Sequence, residues 1–131
     1  MKFSNTEEAR EFFKSDRFAV ENGMQIEELG EGWCVCNFDI TERQTNANSH
    51  VMGGAIFTLA DFAAAVASCN MHWPTVTQQA SVSFLKAAKG KRLIAKASCR
   101  KDGRVICVYT VEITDDLGTD VAQITMTCYK L

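Results

Sequence analysis

The sequence predicts an α+β fold in which a long antiparallel sheet curls around one central helix. Residues 53–70, GGAIFTLADFAAAVASCN, are apolar around the whole helical circumference, which is typical of a helix enclosed by other structure. After Pro74, apolar residues recur at every second position in four successive segments, which is the period of β-strands. The chain has 131 residues, 47% of them apolar, so we expect a single domain over residues 1–131 with one core.

The N-terminal part of the chain predicts a short helix followed by two strands. Residues 4–8 carry the capping-box pattern, with Ser4 or Asn5 as its first member, ahead of a short amphipathic helix. Residues 24–28 are a candidate strand. Residues 33–40 alternate so that one face of a second strand carries Cys34, Cys36, Phe38 and Ile40. A Gly-Glu-Gly sequence between the two segments supplies a turn.

Four longer strands are predicted after the central helix. Their alternating positions are Val76, Gln78, Ala80, Val82 and Phe84, then Leu93, Ala95, Ala97 and Cys99, then Val105, Cys107, Tyr109, Val111 and Ile113, then Ala122, Ile124, Met126 and Cys128. The connections contain Lys-Gly-Lys, Asp-Gly and Asp-Asp-Leu-Gly, all typical of hairpins. We therefore expect an antiparallel meander.

The net charge of −2 argues against a nucleic-acid-binding surface spread over the whole protein. Basic side chains are nevertheless concentrated between residues 86 and 104, where Asp102 is the only acidic residue: Lys86, Lys89, Lys91, Arg92, Lys96, Arg100, Lys101 and Arg104. This pattern predicts a short basic patch. It is either the solvated face of two strands or a site for a phosphate-bearing ligand.

Asp61 is the only residue between Arg43 and Lys86 that is formally charged at neutral pH. Its apolar surroundings predict a pKa raised by desolvation, toward the range in which a carboxylate can take a proton from water near neutral pH. The alternative is a structural buried aspartate held by neighbouring hydroxyl groups. A carboxylate in the middle of the apolar segment also argues against a membrane span.

The six cysteines and the charged N-terminal segment favour a cytoplasmic protein with reduced thiols. The C-x-C spacing of Cys34 and Cys36 puts both on one face of a strand, unlike the C-x₂-C spacing of zinc sites. We therefore expect the cysteines to be buried apolar side chains, and we expect no metal or redox cofactor.

From about Gly23 to the C-terminus, the chain resembles the hotdog-fold acyl-CoA thioesterases of the phenylacetate-degradation, or PaaI-like, type. The most specific element is the Gly-Gly-x-x-x-x-Leu-x-Asp sequence from Gly53 to Asp61, supported by the strand sequence SVSFLKA and by the turn before Arg104. The resemblance implies a hotdog fold, hydrolysis of acyl-CoA without a further cofactor, and a homodimer or a dimer of dimers.

The resemblance assigns four residues to the chemistry. Asp61 matches the general base or nucleophile, and Gly53 matches the residue whose backbone N–H polarises the thioester carbonyl. Asn46 and Thr77 match the residues that hold the water. A glycine-rich helix N-terminus presents unpaired N–H groups and a positive dipole end, which independently suits Gly53 to an oxyanion. The expected substrate-binding residues are Gly54, His50, Met52, Lys89, Lys91, Arg92, Arg100 and Arg104.

Met52 departs from the family pattern, in which a histidine precedes the glycine pair and helps to bind the thioester oxygen. Methionine cannot donate a hydrogen bond, and His50 lies two residues earlier with a different reach. The alternative function is therefore a non-hydrolytic hotdog protein that binds acyl-CoA or a related ligand.

The spacing along the predicted helix separates the two main catalytic groups. Asp61 lies seven residues beyond Gly54, about 10 Å along a helix, whereas proton transfer needs hydrogen-bond reach or one bridging water. We therefore expect each active site to be shared between two subunits.

Overall fold

The computed structural model describes all 131 residues and contains one six-stranded antiparallel sheet. Helix α1 spans Thr6–Phe12 and helix α2 spans Arg17–Glu21, with a 3-10 turn at Phe13–Ser15 between them. Strands β1 (Gln25–Gly30) and β2 (Trp33–Asp39) precede a 3-10 turn at Glu42–Gln44 and the long helix α3 (Gly53–Met71). The remaining strands are β3 (Thr75–Phe84), β4 (Arg92–Asp102), β5 (Ile106–Asp115) and β6 (Asp120–Lys130). The predicted fold class is confirmed.

Helix α3 packs against β2, β4 and β5 and forms the centre of the core. Leu59, Ala63 and Val66 on the helix are fully buried, as are the inward-facing residues Leu93 and Val111 of the sheet. By length and composition α3 could cross a membrane, but most of it is enclosed by the rest of this chain, as in a core helix. The many alanines allow the helix to approach the strands closely, and close packing maximises dispersion contacts.

One stripe of α3 is not covered, so the prediction of a fully enclosed helix is wrong along that side. The open stripe consists of Gly54, Thr58, Asp61 and Ala65, none of which is buried. Their spacing of three or four residues places them on one helix face. The apolar pattern could not reveal this because alanine and glycine serve equally in a core and in an interface.

The N-terminal helix begins as the sequence predicts, with Asn5 as its cap. The Asn5 side chain accepts a hydrogen bond of 2.8 Å from the N–H of Glu8. The Glu8 carboxylate accepts in return from the N–H of Ser4, at 2.9 Å, rather than from Asn5. Behind this cap, the ring of Phe13 packs edge-on against Phe62 of α3 with centroids 6.0 Å apart. The N-terminal helices are thereby fixed along α3.

The expected meander is correct for β4, β5 and β6 but wrong for β3. The strand order is β1-β2-β4-β5-β6-β3, so β3 crosses to the far edge and pairs with β6. The Lys-Gly-Lys sequence therefore lies in a crossover, not in a hairpin. Two carboxylates of the β5–β6 turn hold this crossover: Asp115 accepts from the N–H groups of Lys89 and Gly90, and Asp116 accepts from those of Lys91 and Arg92. The topology thus depends on the β3–β6 pairing and on tertiary hydrogen bonds in the crossover, which local turn patterns do not encode.

Strand β3 contains a bulge that shifts its alternation. The pairing with β6 slips between Thr77 and Gln79, so Gln78 is the extra residue. The predicted face starting at Val76 is therefore wrong in its first half: Val76 is exposed, whereas Thr77 faces α3. Beyond the bulge, Ala80 and Val82 pack against the core as predicted.

The cysteines are free thiols, and five of the six are buried, as the sequence predicts. The sulfur atoms of Cys34 and Cys36 lie 3.5 Å apart on the inner face of β2. Burial raises the pKa of Cys36, and the neighbouring Cys34 thiol adds to that effect. Both side chains serve as small apolar core residues.

Candidate active site

The central polar contact on the open stripe joins Asp61 to Thr77. The Thr77 hydroxyl donates a hydrogen bond of 3.1 Å to Oδ1 of Asp61. Burial raises the pKa of Asp61, and the Thr77 hydrogen bond partly opposes that effect because it stabilises the ionised form. The carboxylate therefore combines a raised proton affinity with a fixed orientation, as a general base requires.

A second carboxyl group lies near this pair. Burial raises the pKa of Asp16, which follows the 3-10 turn after α1, and the negative charge of Asp61 raises it further. Sequence reasoning missed Asp16, because nothing in the N-terminal pattern indicates that it folds back toward α3.

The N-terminus of α3 presents unpaired backbone amides. The carbonyl of the capping residue Met52 accepts from the N–H groups of Ala55 and Ile56, and the Met52 side chain caps nothing. The N–H groups of Gly53 and Gly54 form no hydrogen bond within the chain. They stand at the positive end of the helix dipole, where they can donate to an anionic oxygen.

The ring of Phe84 covers Gly53. A Cβ atom at position 53 would lie 3.2 Å from Cζ of Phe84, so the glycine allows the ring to approach the backbone closely. The two residues border a cavity of about 280 Å³, which Lys86 also lines. Sequence reasoning did not assign Phe84 to the site, although it lies in the SVSFLKA segment.

Asn46 organises the loop that leads into α3. Its side-chain oxygen accepts from the N–H groups of Asn48, at 2.9 Å, and His50, at 3.2 Å. Asn46 is exposed and forms no hydrogen bond with Asp61 or Thr77 of its own chain. His50 and Met52 are also exposed, and Met52 borders a second cavity, beside Gly54, of about 290 Å³.

The candidate groups therefore lie at two separate places on the chain. Asp61 and Thr77 lie at one of them, and Gly53 with the Asn46 loop lies at the other. Eight residues of helix separate Gly53 from Asp61, which is about 12 Å at the rise of an α-helix. A single small reacting group cannot contact both places on the same chain.

The basic residues form two clusters at opposite ends of the sheet, so the prediction of one patch is wrong. Lys86, Lys89, Lys91 and Arg92 lie at the Gly53 end of α3, where Lys86 lines the cavity beside Gly53. The other end of β4 and the following turn carry Arg100, Lys101 and Arg104. Asp102 lies at this second end. Its carboxylate contacts His72, which follows α3, at 2.9 Å, and Lys130 at 2.8 Å. A strand of eleven residues separates the clusters by roughly 30 Å.

The protein has no group of three or more His, Cys, Asp or Glu side chains arranged to hold a metal ion.

Fold and site together define a class: hotdog proteins in which a desolvated carboxylate lies on the central helix and free amides lie at its start. The thioesterase superfamily matches residues 48–122 of the chain. The acyl-coenzyme A thioesterase PaaI of Escherichia coli (strain K12) is 30% identical over 115 residues, which cover 87% of this chain and 82% of that protein. The chain belongs to the thioesterase superfamily, within its PaaI-like branch.

Solved structures agree with this assignment. The Escherichia coli PaaI protein has a TM-score of 0.86 at 25% identity, covering 98% of this chain and 96% of that one. A hypothetical thioesterase from Streptococcus pneumoniae TIGR4, solved with coenzyme A, has a TM-score of 0.82 at 30% identity, covering 89% of this chain and 94% of that one. Two further structures of the streptococcal protein carry alanine in place of an aspartate and of a threonine. The spacing between those two positions equals that between Asp61 and Thr77.

Proposed function

We propose that the protein hydrolyses acyl-CoA thioesters to a free acid and coenzyme A. The observation that carries the proposal is the pairing of complementary half-sites: unpaired amides at Gly53 and a desolvated carboxylate at Asp61 held by Thr77. Acyl transfer needs donors for the developing oxyanion and a base or nucleophile for the carbonyl carbon.

The reaction follows from these groups. The thioester oxygen accepts a hydrogen bond from the N–H of Gly53 while Asp61 takes a proton from an attacking water, whose oxygen bonds to the carbonyl carbon. The tetrahedral intermediate then expels the coenzyme A thiolate, which receives the proton. Alternatively, Asp61 attacks the carbon directly and expels the thiolate, and water hydrolyses the resulting anhydride. Thr77 orients Asp61, and Asn46 helps to hold the water.

The active site is shared between two subunits in this proposal. A second copy whose α3 runs antiparallel would bring its Asp61 toward the Gly53 of the first copy. The open stripe of α3 and the unpaired edge of β3 support a homodimer, since both leave interacting groups uncovered. Two such dimers would form a dimer of dimers.

Coenzyme A as the carrier is supported by the relatives. The Escherichia coli relative is an acyl-coenzyme A thioesterase, and the streptococcal neighbour was solved with coenzyme A. The basic cluster at the Gly53 end, including Lys86, Lys89, Lys91 and Arg92, offers charge for the phosphates. The other cluster, with Arg100 and Arg104, is a second candidate for this role. Free thiols throughout fit a reducing cytoplasm.

One observation favours a second function, non-hydrolytic binding of acyl-CoA. Met52 is exposed beside the free amides, and its thioether donates no hydrogen bond to a thioester oxygen. His50, in the preceding loop, is held by its backbone to Asn46. An oxyanion site with fewer donors would bind the ligand and turn it over slowly.

Turnover of a thioester panel by the wild type and by Asp61→Asn tests the proposal. Release of the coenzyme A thiol should be measurable for at least one thioester, and kcat should fall on the order of 10² or more in Asp61→Asn, because an amide cannot accept the proton of water. Glu112→Gln is the matched control, since it neutralises an exposed carboxylate on β5. Binding of acyl-CoA by calorimetry with no turnover in the wild type would favour the binding protein.

A further inference from the structure

A partly open cavity with a mostly apolar lining lies between the N-terminal helices and the second half of α3. It has a volume of about 440 Å³. Its walls include the rings of Phe12, Phe13 and Trp73, with Ala65 and Cys69 of α3 as its floor. Phe12 packs edge-on against Phe13 and against Trp73, with centroids 5.2 and 4.9 Å apart. Aromatic rings that pack against one another therefore form much of the cavity wall.

Two residues that line this cavity lie close to the Asp61–Thr77 pair, one on α3 and one on β3. Ala65 follows Asp61 by one helical turn on the open stripe, about 6 Å along the axis. Thr75 precedes Thr77 by two residues on the same face of β3, again about 6 Å, and lines the cavity. A group that extends from a carbonyl carbon at Asp61 toward the C-terminal end of α3 enters this space.

Asp16 lines the same cavity at its solvent-exposed rim. Its carboxylate caps no backbone N–H and forms no ion pair. No Lys or Arg lines the cavity; Lys2 lies over the rings of Phe12 and Trp73, at 4.7 and 5.1 Å from their centroids. The negative charge of Asp61 contributes to the raised pKa of Asp16, which agrees with their proximity.

We propose that this cavity is the acyl pocket and that Asp16 makes the enzyme select uncharged acyl groups over those that end in a carboxylate. The inference rests on the proposed thioesterase function and specifies its substrate class. An apolar acyl group gains burial against the rings. A terminal carboxylate would lose its hydration and face the negative charges of Asp16 and Asp61 at short range.

The test compares two thioesters that differ only at the far end of a six-carbon acyl chain, hexanoyl-CoA and adipoyl-CoA. At pH 8 and low ionic strength, kcat/KM of the wild type should favour hexanoyl-CoA. Asp16→Asn should narrow that preference by about tenfold, as expected for two carboxylates near 6 Å in a partly solvated site. The change should come from adipoyl-CoA and should shrink with added salt. Because the Asp16 side chain caps no backbone N–H, its replacement by Asn should leave α2 in place.

Glu112→Gln serves as the control, because it removes one negative charge far from the cavity and should leave the preference unchanged. Asp16→Lys should narrow the preference more than Asp16→Asn does. An active wild type whose preference is the same in all three variants would overturn the inference and leave the proposed function standing. A wild type that hydrolyses neither thioester nor any member of the panel would overturn both.

Discussion

The hydroxyl of Thr77 reaches Oδ1 of Asp61, at 3.1 Å, because a β-bulge at Gln78 turns Thr77 inward. In a regular strand, residues three apart point to opposite faces, so a strand with Ala80 on the core would direct Thr77 to solvent. The extra residue restores both to the inner face. The orientation of the proposed catalytic carboxylate thus depends on one irregularity in an edge strand.

Thr77→Val should shift the pH dependence of turnover. The hydrogen bond stabilises ionised Asp61, so removing it should raise the Asp61 pKa and move the acidic limb of the kcat/KM profile to higher pH. Thr77→Ser keeps the hydroxyl donor, so the acidic limb of its kcat/KM profile should coincide with that of the wild type. The measurement is hydrolysis of one good thioester from pH 4 to 9. Superimposable limbs in Thr77→Val and the wild type would show that this hydrogen bond does not tune the base.

Two inactive variants should complement each other if the site is shared between subunits. Gly53→Pro removes the donating N–H at the first position of α3, where helices tolerate proline. Asp61→Asn removes the base. In a mixed dimer, one of the two sites would combine an intact Gly53 with an intact Asp61, so we expect a mixture that has exchanged subunits to recover activity.

Gly53→Ala is the matched control for the proline variant. It adds a Cβ that meets Phe84 at 3.2 Å, as proline does, but it keeps the N–H. It should therefore retain far more activity than Gly53→Pro. A fully active monomer in sedimentation, or mixtures that stay inactive after subunit exchange, would contradict the shared site.

Replacing the basic cluster at the Gly53 end should weaken coenzyme A binding. Alanine at Lys86, Lys89 and Lys91 should raise KM for acyl-CoA by about fivefold per residue, and by much less for an acyl-pantetheine without the nucleotide, with kcat nearly preserved. Arg100, Lys101 and Arg104, replaced together, provide the comparison at the other end of the sheet. Equal KM changes for both substrates would identify the first cluster as a solvated surface.

Asp115→Asn should destabilise the fold through the crossover between β3 and β4. The buried carboxylate accepts four backbone N–H groups, from Lys89, Gly90, Leu117 and Thr119. An amide nitrogen in place of one oxygen would face donors, so we expect a loss of about 3 kcal/mol in the free energy of unfolding. Asp116→Asn, at an exposed carboxylate with two such bonds, should cost less. Denaturant titration measures both.

The same carboxylate predicts a pH dependence of stability. Burial acts to raise the pKa of Asp115, but the backbone donors outweigh it and hold the pKa well below its usual range. A depressed pKa in the folded state gives stability that is present above the unfolded pKa, about 4, and is lost as pH falls below it. The wild type should therefore lose stability between about pH 4 and pH 2 more steeply than Asp115→Asn. If the stabilities of the wild type and of Asp115→Asn fall in parallel over this pH range, Asp115 has the same pKa in the folded and the unfolded state.

The sequence by itself determined the elements and the core. The period-two segments predicted β2, β4, β5 and β6 because their inward residues must be apolar to be buried. The apolar run with a lone carboxylate predicted both the central helix and Asp61, since an uncompensated charge in such a run is costly and rarely retained without a role. These features depend on residues close together in the chain.

The tertiary structure alone decided how those elements were joined and which groups met. It placed β3 at the far edge by pairing it with β6, it held the crossover to β4 with hydrogen bonds of Asp115 and Asp116, and it turned Thr77 inward through a bulge. It also divided the basic residues between two ends of the sheet and brought Asp16 to the cavity beside Asp61. Such contacts join residues distant in sequence, and their energies depend on packing and register that no local pattern contains.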